Sequence, residues 1–285
     1  VNAYVELTYW QVALAALLIV FNGVVSIVLR LRMERSLVIA SIRTIAQLLL
    51  VGLVLEWVFR WDRWYVVLAL ATVMTLIAGL TAASRNERRY PGIWLNTIVS
   101  VWGSAWIVTA FALFAVMQGI NKWYEPQYAI PLLGMVLGNT LNGISVGLNT
   151  FTEALVTRRD QIESLLALGA TRWEAARATV RRAVRTGMLP IINSMMVVGI
   201  VSLPGMMTGQ LVSGMDPIEA VKYQIVIMFL IASATALGTV GVVLLSFLRL
   251  FNRHHQFLNA NLSQAIADPL FGDDENQPNN AERKA

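Results

Sequence analysis

Five small or polar residues, Gly138, Asn142, Ser145, Asn149 and Glu153, recur at spacings of four, three, four and four. On a helix that spacing sets them on one face. Their surroundings are apolar, so the face must meet a partner helix or a watery path. Amide, hydroxyl and carboxylate oxygens in that arrangement can line a route for a polar solute, or they can bond two helices together. Gly134 with Gly138, and Gly143 with Gly147, form two GxxxG pairs in the same stretch. Small residues at that interval let helix backbones come close. Arg43 and Gln47 share a face of an earlier apolar stretch. Arg43 can touch a substrate, snorkel to a surface, or pair with Glu153.

A later stretch has Asn193 and Ser194 toward one end, Gln210 toward the other, and Pro204-Gly205 inside it. Proline removes a backbone donor, so a kink is expected at Pro204, either as a hinge or as a fixed bend. Met195, Met196, Met206, Met207 and Met215 cluster around it. Thioethers can bind soft metal ions, but methionine is also an adaptable apolar filler, which is the reading preferred here. His254 and His255 lie beyond the last apolar run and the chain has no cysteine. No metal ligand set is assigned. Catalytic patterns are absent: there is no GxxxxGK[ST] phosphate loop, no HExxH and no GxSxG. The chain is therefore expected not to be an enzyme, and to hold no cofactor of its own.

The elements that must position these residues are membrane spans. The 285-residue chain is 56% apolar and 14% charged, against about 25% charged in soluble proteins. Several runs of roughly 20 residues carry no charge, as expected of an all-α, polytopic membrane protein. Seven spans can be drawn, at about Leu7–Leu29, Ser36–Phe59, Trp64–Ala83, Ile93–Gln118, Ala129–Val156, Leu189–Leu211 and Val221–Leu248. The first run has no basic segment before it and is long enough to span, so it does not read as a cleaved signal.

Basic residues orient the spans. Arg30, Arg32 and Arg35 follow the first, Arg85, Arg88 and Arg89 the third, and Arg249, Arg253, Arg283 and Lys284 the last. The opposite loops hold Arg60, Arg63, Lys122 and Lys222. The positive-inside rule then sets the N-terminus outside and the C-terminus in the cytoplasm. The positive net charge of +5 follows from these loops and is not a nucleic-acid signal. The permease-like body covers residues 1–262, and the polar residues 263–285 read as a disordered tail.

Between the fifth and sixth spans lies a charged segment, about 157–187. It holds Arg158, Arg159, Arg172, Arg177, Arg181, Arg182 and Arg185, with Asp160, Glu163 and Glu174 among them. Ile162, Leu165 and Leu166 have helical spacing, and Gly169 stops that helix. Thr171 with Glu174 is a capping-box pair that starts a second helix. Trp173, Ala176, Val180, Ala183 and Val184 form its apolar stripe. The result is a helical elbow on the cytoplasmic side. It can be a handle for another protein or a basic loop held to anionic lipid.

The runs IPLLGMVLGNTLNGISVGLNTF (Ile130–Phe151) and RTGMLPIINSMMVVGIVSLPGMMTGQLVSGMDPIEAVKYQIVIMFLI (Arg185–Ile231) resemble the FetB (YbbM) family of ABC-transporter permeases. The resemblance implies the permease subunit of an ATP-driven exporter linked to iron homeostasis in bacteria, with plant relatives tied to aluminium tolerance. The elbow also resembles the cytoplasmic loop of ABC permeases: Glu163, Gly169 and Ala170 match the start of its EAA-type motif. Leu189-Pro190 lies further from Gly169 than the import pattern sets it, which speaks against an ordinary importer.

These features together lead to one expectation. The chain is a homodimeric permease of the bacterial inner or plasma membrane, working with a separate cytoplasmic ABC ATPase that holds ATP and magnesium. Glu163, Leu168, Gly169, Ala170, Thr171 and Trp173 shape the docking surface. The path or its helix interface uses Arg43, Gln47, Gly138, Asn142, Ser145, Asn149, Glu153, Asn193, Pro204, Met207 and Gln210. The arginines also contact membrane lipid. Two other readings stand beside it. One is a proton-coupled transporter with Arg43 and Glu153 as a relay; the other is a membrane scaffold that recruits a partner through the elbow.

Overall fold

A computed structural model describes residues 8–31, 33–61, 63–116, 124–252, 256–258 and 262–264. Its helices are α1 (Tyr9–Val28), α2 (Glu34–Trp61), α3 (Trp64–Ser84), α4 (Ile93–Phe111, continued by a π turn over Ala112–Val116), α5 (Pro126–Thr157), α6 (Arg159–Ala167), α7 (Arg172–Val197), α8 (Gly205–Val212) and α9 (Pro217–Leu250). Two short strands, β1 (Arg88–Arg89) and β2 (Ser263–Gln264), pair antiparallel. Thus the expected tail begins in a strand, and residues 265–285 lie outside the described residues.

The chain divides into two compact units, residues 2–57 and residues 58–264. In the first, the α1–α2 turn is latched by Ser26. Its hydroxyl donates to Glu34 Oε2 at 3.1 Å and accepts from the Met33 amide at 3.0 Å.

In the second unit α5 is central and packs on α3, α4, α7 and α9. The sequence explains why the contact is so close. A Cβ on Gly187 of α7 would fall 2.6 Å from Thr239 Cγ2 of α9 and 2.7 Å from the Gly143 carbonyl of α5. One on Gly147 would fall 2.7 Å from the same threonine methyl. Gly143, Gly147 and Gly187 therefore form a junction where backbones meet with threonine methyls in the gaps. Thr235 and Thr239 are almost wholly buried. A second contact of this kind joins α9 to α4 and α5, where Gly238 faces Thr140 and Ser104.

Six helices among the described residues are long and apolar enough to cross a membrane: those of α1, α2, α3, α4, α5 and α9. This is a multi-pass, all-α membrane protein. α5 has 32 residues and α9 has 34, or about 50 Å each at 1.5 Å per residue. Both exceed a hydrocarbon core of about 30 Å, so each tilts or projects beyond it. Both start earlier than periodicity alone indicates, because Pro126 and Pro217 occupy the first turn, where a missing N–H costs nothing. Asp216 adds a cap, accepting from the Ile218 and Glu219 amides at 2.9 and 3.2 Å.

The expected sixth span, Leu189–Leu211, is not one helix. α7 runs from the elbow through Pro190 to Val197 and stops. Gly199 takes φ +83° and its amide donates to the Ser202 carbonyl at 2.9 Å, closing a tight turn. Pro204 is then the N-cap of α8. The proline expected to kink a helix instead begins one, since it holds its predecessor extended. Pro190, expected near the start of the sixth span, lies inside α7.

The buried Tyr90 ties the α3–α4 turn to α9. Its hydroxyl lies 2.7 Å from Ser246 Oγ and accepts from Asn96 Nδ2 at 3.0 Å. Burial pushes the phenol pKa up.

The junction makes a graded prediction. Gly187→Ala should cost ~1–3 kcal/mol through overpacking. Gly103→Ala in α4, where nothing lies within 4 Å, should be neutral or slightly stabilising. Thermal unfolding of the purified protein in detergent reads the difference, and equal stability of the two variants would refute the junction.

Candidate functional site: the elbow and the open face of α5

The elbow is built as its sequence requires. α6 ends in a Schellman closure: Gly169 at φ +93° donates to the Leu166 carbonyl, and the Ala170 amide to the Leu165 carbonyl, both at 3.0 Å. Only a residue free of Cβ strain takes that φ at little cost. The Thr171 amide then donates to Glu174 Oε2 at 2.7 Å, and the Glu174 amide to Thr171 Oγ1 at 3.3 Å. This is the reciprocal capping box at the start of α7.

The inner face of the elbow is tied to the bundle. Ile162, Ala175, Ala176, Thr179, Val180 and Ala183 are buried. Trp173 packs edge-on against Phe247 of α9 at 5.5 Å. Phe251 and Phe257 continue the ring series at 5.2 Å steps. Arg172 Nη1 donates to the carbonyls of Phe251 and Asn252, at 3.4 and 3.3 Å, just past the C-terminus of α9. A cation there also complements the helix dipole.

The outer face of the elbow is exposed. Leu168 is 84% exposed at the tip, and Ala170 beside it is half-buried. Glu163 pairs with Arg159 at 2.7 Å in the open, a contact worth little to stability. Of the six expected docking residues, then, Leu168 stands at the tip, while Gly169, Thr171 and Trp173 shape and anchor it.

The polar face of α5 is also real, and half open. Gly138, Asn142 and Glu153 are exposed, Asn149 is half-buried and Ser145 is buried. Ser145 Oγ and Asn149 Oδ1 have no hydrogen-bond partner among the described residues. Two arginines of the α3–α4 turn brace the face. Arg85 Nη1 donates to Asn142 Oδ1 at 2.8 Å, and Arg88 Nε to Glu153 Oε2 at 2.8 Å. Arg88 therefore takes the place expected for Arg43, because the α3–α4 turn lies beside the last turns of α5. Arg43 and Gln47 lie on exposed positions of α2, in the other unit. In the sequence Arg85 and Arg88 indicate orientation only. Their position just past the end of an apolar helix was the available signal for more.

The remaining candidates are dispersed. Asn193 is exposed on α7, Pro204 caps α8, and Met207 and Gln210 are half-buried on α8. Met195 and Met206 pack against the core while Met196 is 72% exposed. That division fits filler better than a common ligand set. No group of three or more His, Cys, Asp or Glu able to hold a metal ion occurs among the described residues.

Comparison with known proteins gives a consistent set of relatives. Residues 9–251 match the family described as Uncharacterised protein family (UPF0014). A UPF0014 membrane protein of Synechocystis is 40% identical over 228 residues, covering 80% of this chain and 88% of that one. The probable iron export permease protein FetB of Escherichia coli is 30% identical over 262 residues, covering 91% and 98%. Protein ALUMINUM SENSITIVE 3 of Arabidopsis thaliana is 29% identical over 243 residues, covering 85% and 87%. No solved structure is significantly similar.

The elbow's closure can be tested directly. Gly169→Val meets no side chain, since nothing lies within 4 Å of a Cβ there, but it forces a β-branched residue to positive φ. The amides of Gly169 and Ala170 should then exchange hydrogen at least ~5-fold faster, for a strain of ~1–2 kcal/mol. Unchanged exchange would show that the turn does not rest on this glycine.

Proposed function

The chain belongs to the UPF0014 family, and on that premise we propose that it is the permease subunit of an ATP-driven exporter. The observation that carries this reading is the continuity of α7. One helix starts at the capped elbow, beside the exposed Leu168, and runs to Gly187 at the junction with α5 and α9. A displacement applied at the tip is therefore delivered to the helix whose open face bears Asn142, Asn149 and Glu153. The chain has no phosphate loop, so ATP is hydrolysed in a separate ABC ATPase that grips the elbow. Orientation by the positive-inside rule sets the elbow in the cytoplasm, where such a subunit works.

A second copy completes the path. Gly138 has nothing within 4 Å of its Cβ position, and a polar helix face does not stay against lipid. Two copies meeting along these faces would enclose a route lined by amide, hydroxyl and carboxylate oxygens. By analogy with the Escherichia coli relative the cargo is iron. Arg85 and Arg88 stand among those oxygens, and a bare cation is disfavoured beside two guanidinium groups. The reading is therefore of a metal carried in a neutral or anionic complex.

Reconstitution tests this. The chain should co-purify with a separate ATPase, and vesicles holding both should show ATP-dependent flux. Leu168→Asp should reduce flux at least ~10-fold through loss of an exposed anchor, with thermal stability unchanged. Flux driven by a pH gradient without any ATPase would support a secondary transporter instead. Partner binding without flux would support a scaffold.

A further inference from the structure

We propose that α7 and α9 form a binding site for an anionic phospholipid, independent of the transport reading. Two grooves lie side by side on this face. One, of about 470 Å³, is lined by Glu174, Arg177, Ala178, Arg181, Arg182 and Arg185. The other, of about 570 Å³, is lined by Trp173, Val180, Val184, Val240 and Leu244, together with the same Arg181 and Arg185.

The first groove holds four arginines and a single acid. Arg177, Arg181 and Arg185 follow one another at intervals of four, so they rise along a single face over about 12 Å. All four arginines are exposed. None of the four has an ion-pair or hydrogen-bond partner among the described residues. Glu174, the acid beside them, has its carboxylate engaged at the Thr171 cap.

The second groove explains why the counter-charge should arrive on a lipid. Val240 and Leu244 are 38% and 36% exposed on α9, a helix apolar enough to span. On a helix that spans a membrane their free sides would meet hydrocarbon, yet two arginines border the same groove. A fixed charge at that boundary needs a partner or a route to the headgroup layer. Guanidinium groups bind phosphate through paired N–H donors, and basic pockets between membrane helices select anionic headgroups. One molecule with a phosphate and an acyl chain fills both grooves at once: the phosphate on Arg181 and Arg185, the chain along Val184, Val240 and Leu244.

Native mass spectrometry of the full chain tests this, with phosphatidylglycerol titrated against phosphatidylcholine. Phosphatidylglycerol should be retained preferentially. The Arg181→Gln/Arg185→Gln variant should bind it ~10-fold more weakly or worse, given the surface attraction of each cation, while its unfolding temperature in lipid-free detergent is unchanged. Arg181→Lys/Arg185→Lys, which keeps both charges, should keep the preference. Val240→Asn/Leu244→Asn should weaken retention with the arginines intact. The proposal is overturned if the two lipids bind alike, or if the double glutamine variant keeps the preference. It is also overturned if inorganic phosphate displaces phosphatidylglycerol at equal concentration, which would assign the arginines to a free anion. A double glutamine variant that loses the dimer while retaining lipid would assign the face to a contact between copies.

Discussion

The structure depends on three glycines lying against two threonines. Gly143, Gly147 and Gly187 bring α5 and α7 to backbone contact, and Thr235 and Thr239 of α9 fill what remains. Hydrocarbon offers no hydrophobic drive for joining apolar helices, so close packing must supply the attraction. Side chains at those glycines would push α7 outward. The elbow, which is the start of α7, would then lose its fixed relation to α5.

That constraint links two regions of very different character. At one end is a capped, Schellman-closed turn with an exposed leucine. At the other is a helix with one face packed and one face open. Between them Trp173 and Arg172 fasten the start of α7 to the end of α9, through an aromatic contact and two carbonyl bonds. The elbow is thus stiff locally and attached at two levels, by the aromatic series near its tip and by the glycine junction deeper in the bundle. The arginines on the remaining face of α7 take no part in either attachment, which is why a role outside the protein suits them.

Much of this was legible in the sequence, for physical reasons. The glycine break at 169 and the capping box at 171 are local signals, and both appear in the structure because their hydrogen bonds span only a few residues. The polar face of α5 followed from helical spacing. What local reasoning missed was tertiary. The Gly143–Gly147 pair alone marks only a general means of close approach, and its partners Gly187 and Thr239 lie 40 or more residues away in sequence. Arg88 as the partner of Glu153 needed the α3–α4 turn placed beside α5. Pro204 reads as a kink because the composition around it is apolar throughout, while the helix has already ended at Val197, before Gly199 at positive φ.

The most direct test of the elbow as a handle is a covalent record of what touches its tip. An ultraviolet-reactive phenylalanine analogue in place of Leu168 would supply it, with the same analogue in place of Phe114 at the far end of α4 as control; Phe114 is 64% exposed. Irradiation of the assembled complex should give an adduct of this chain with a separate ATPase from position 168 and none from position 114. Adducts with lipid alone from position 168, in a complex that still hydrolyses ATP, would contradict the account.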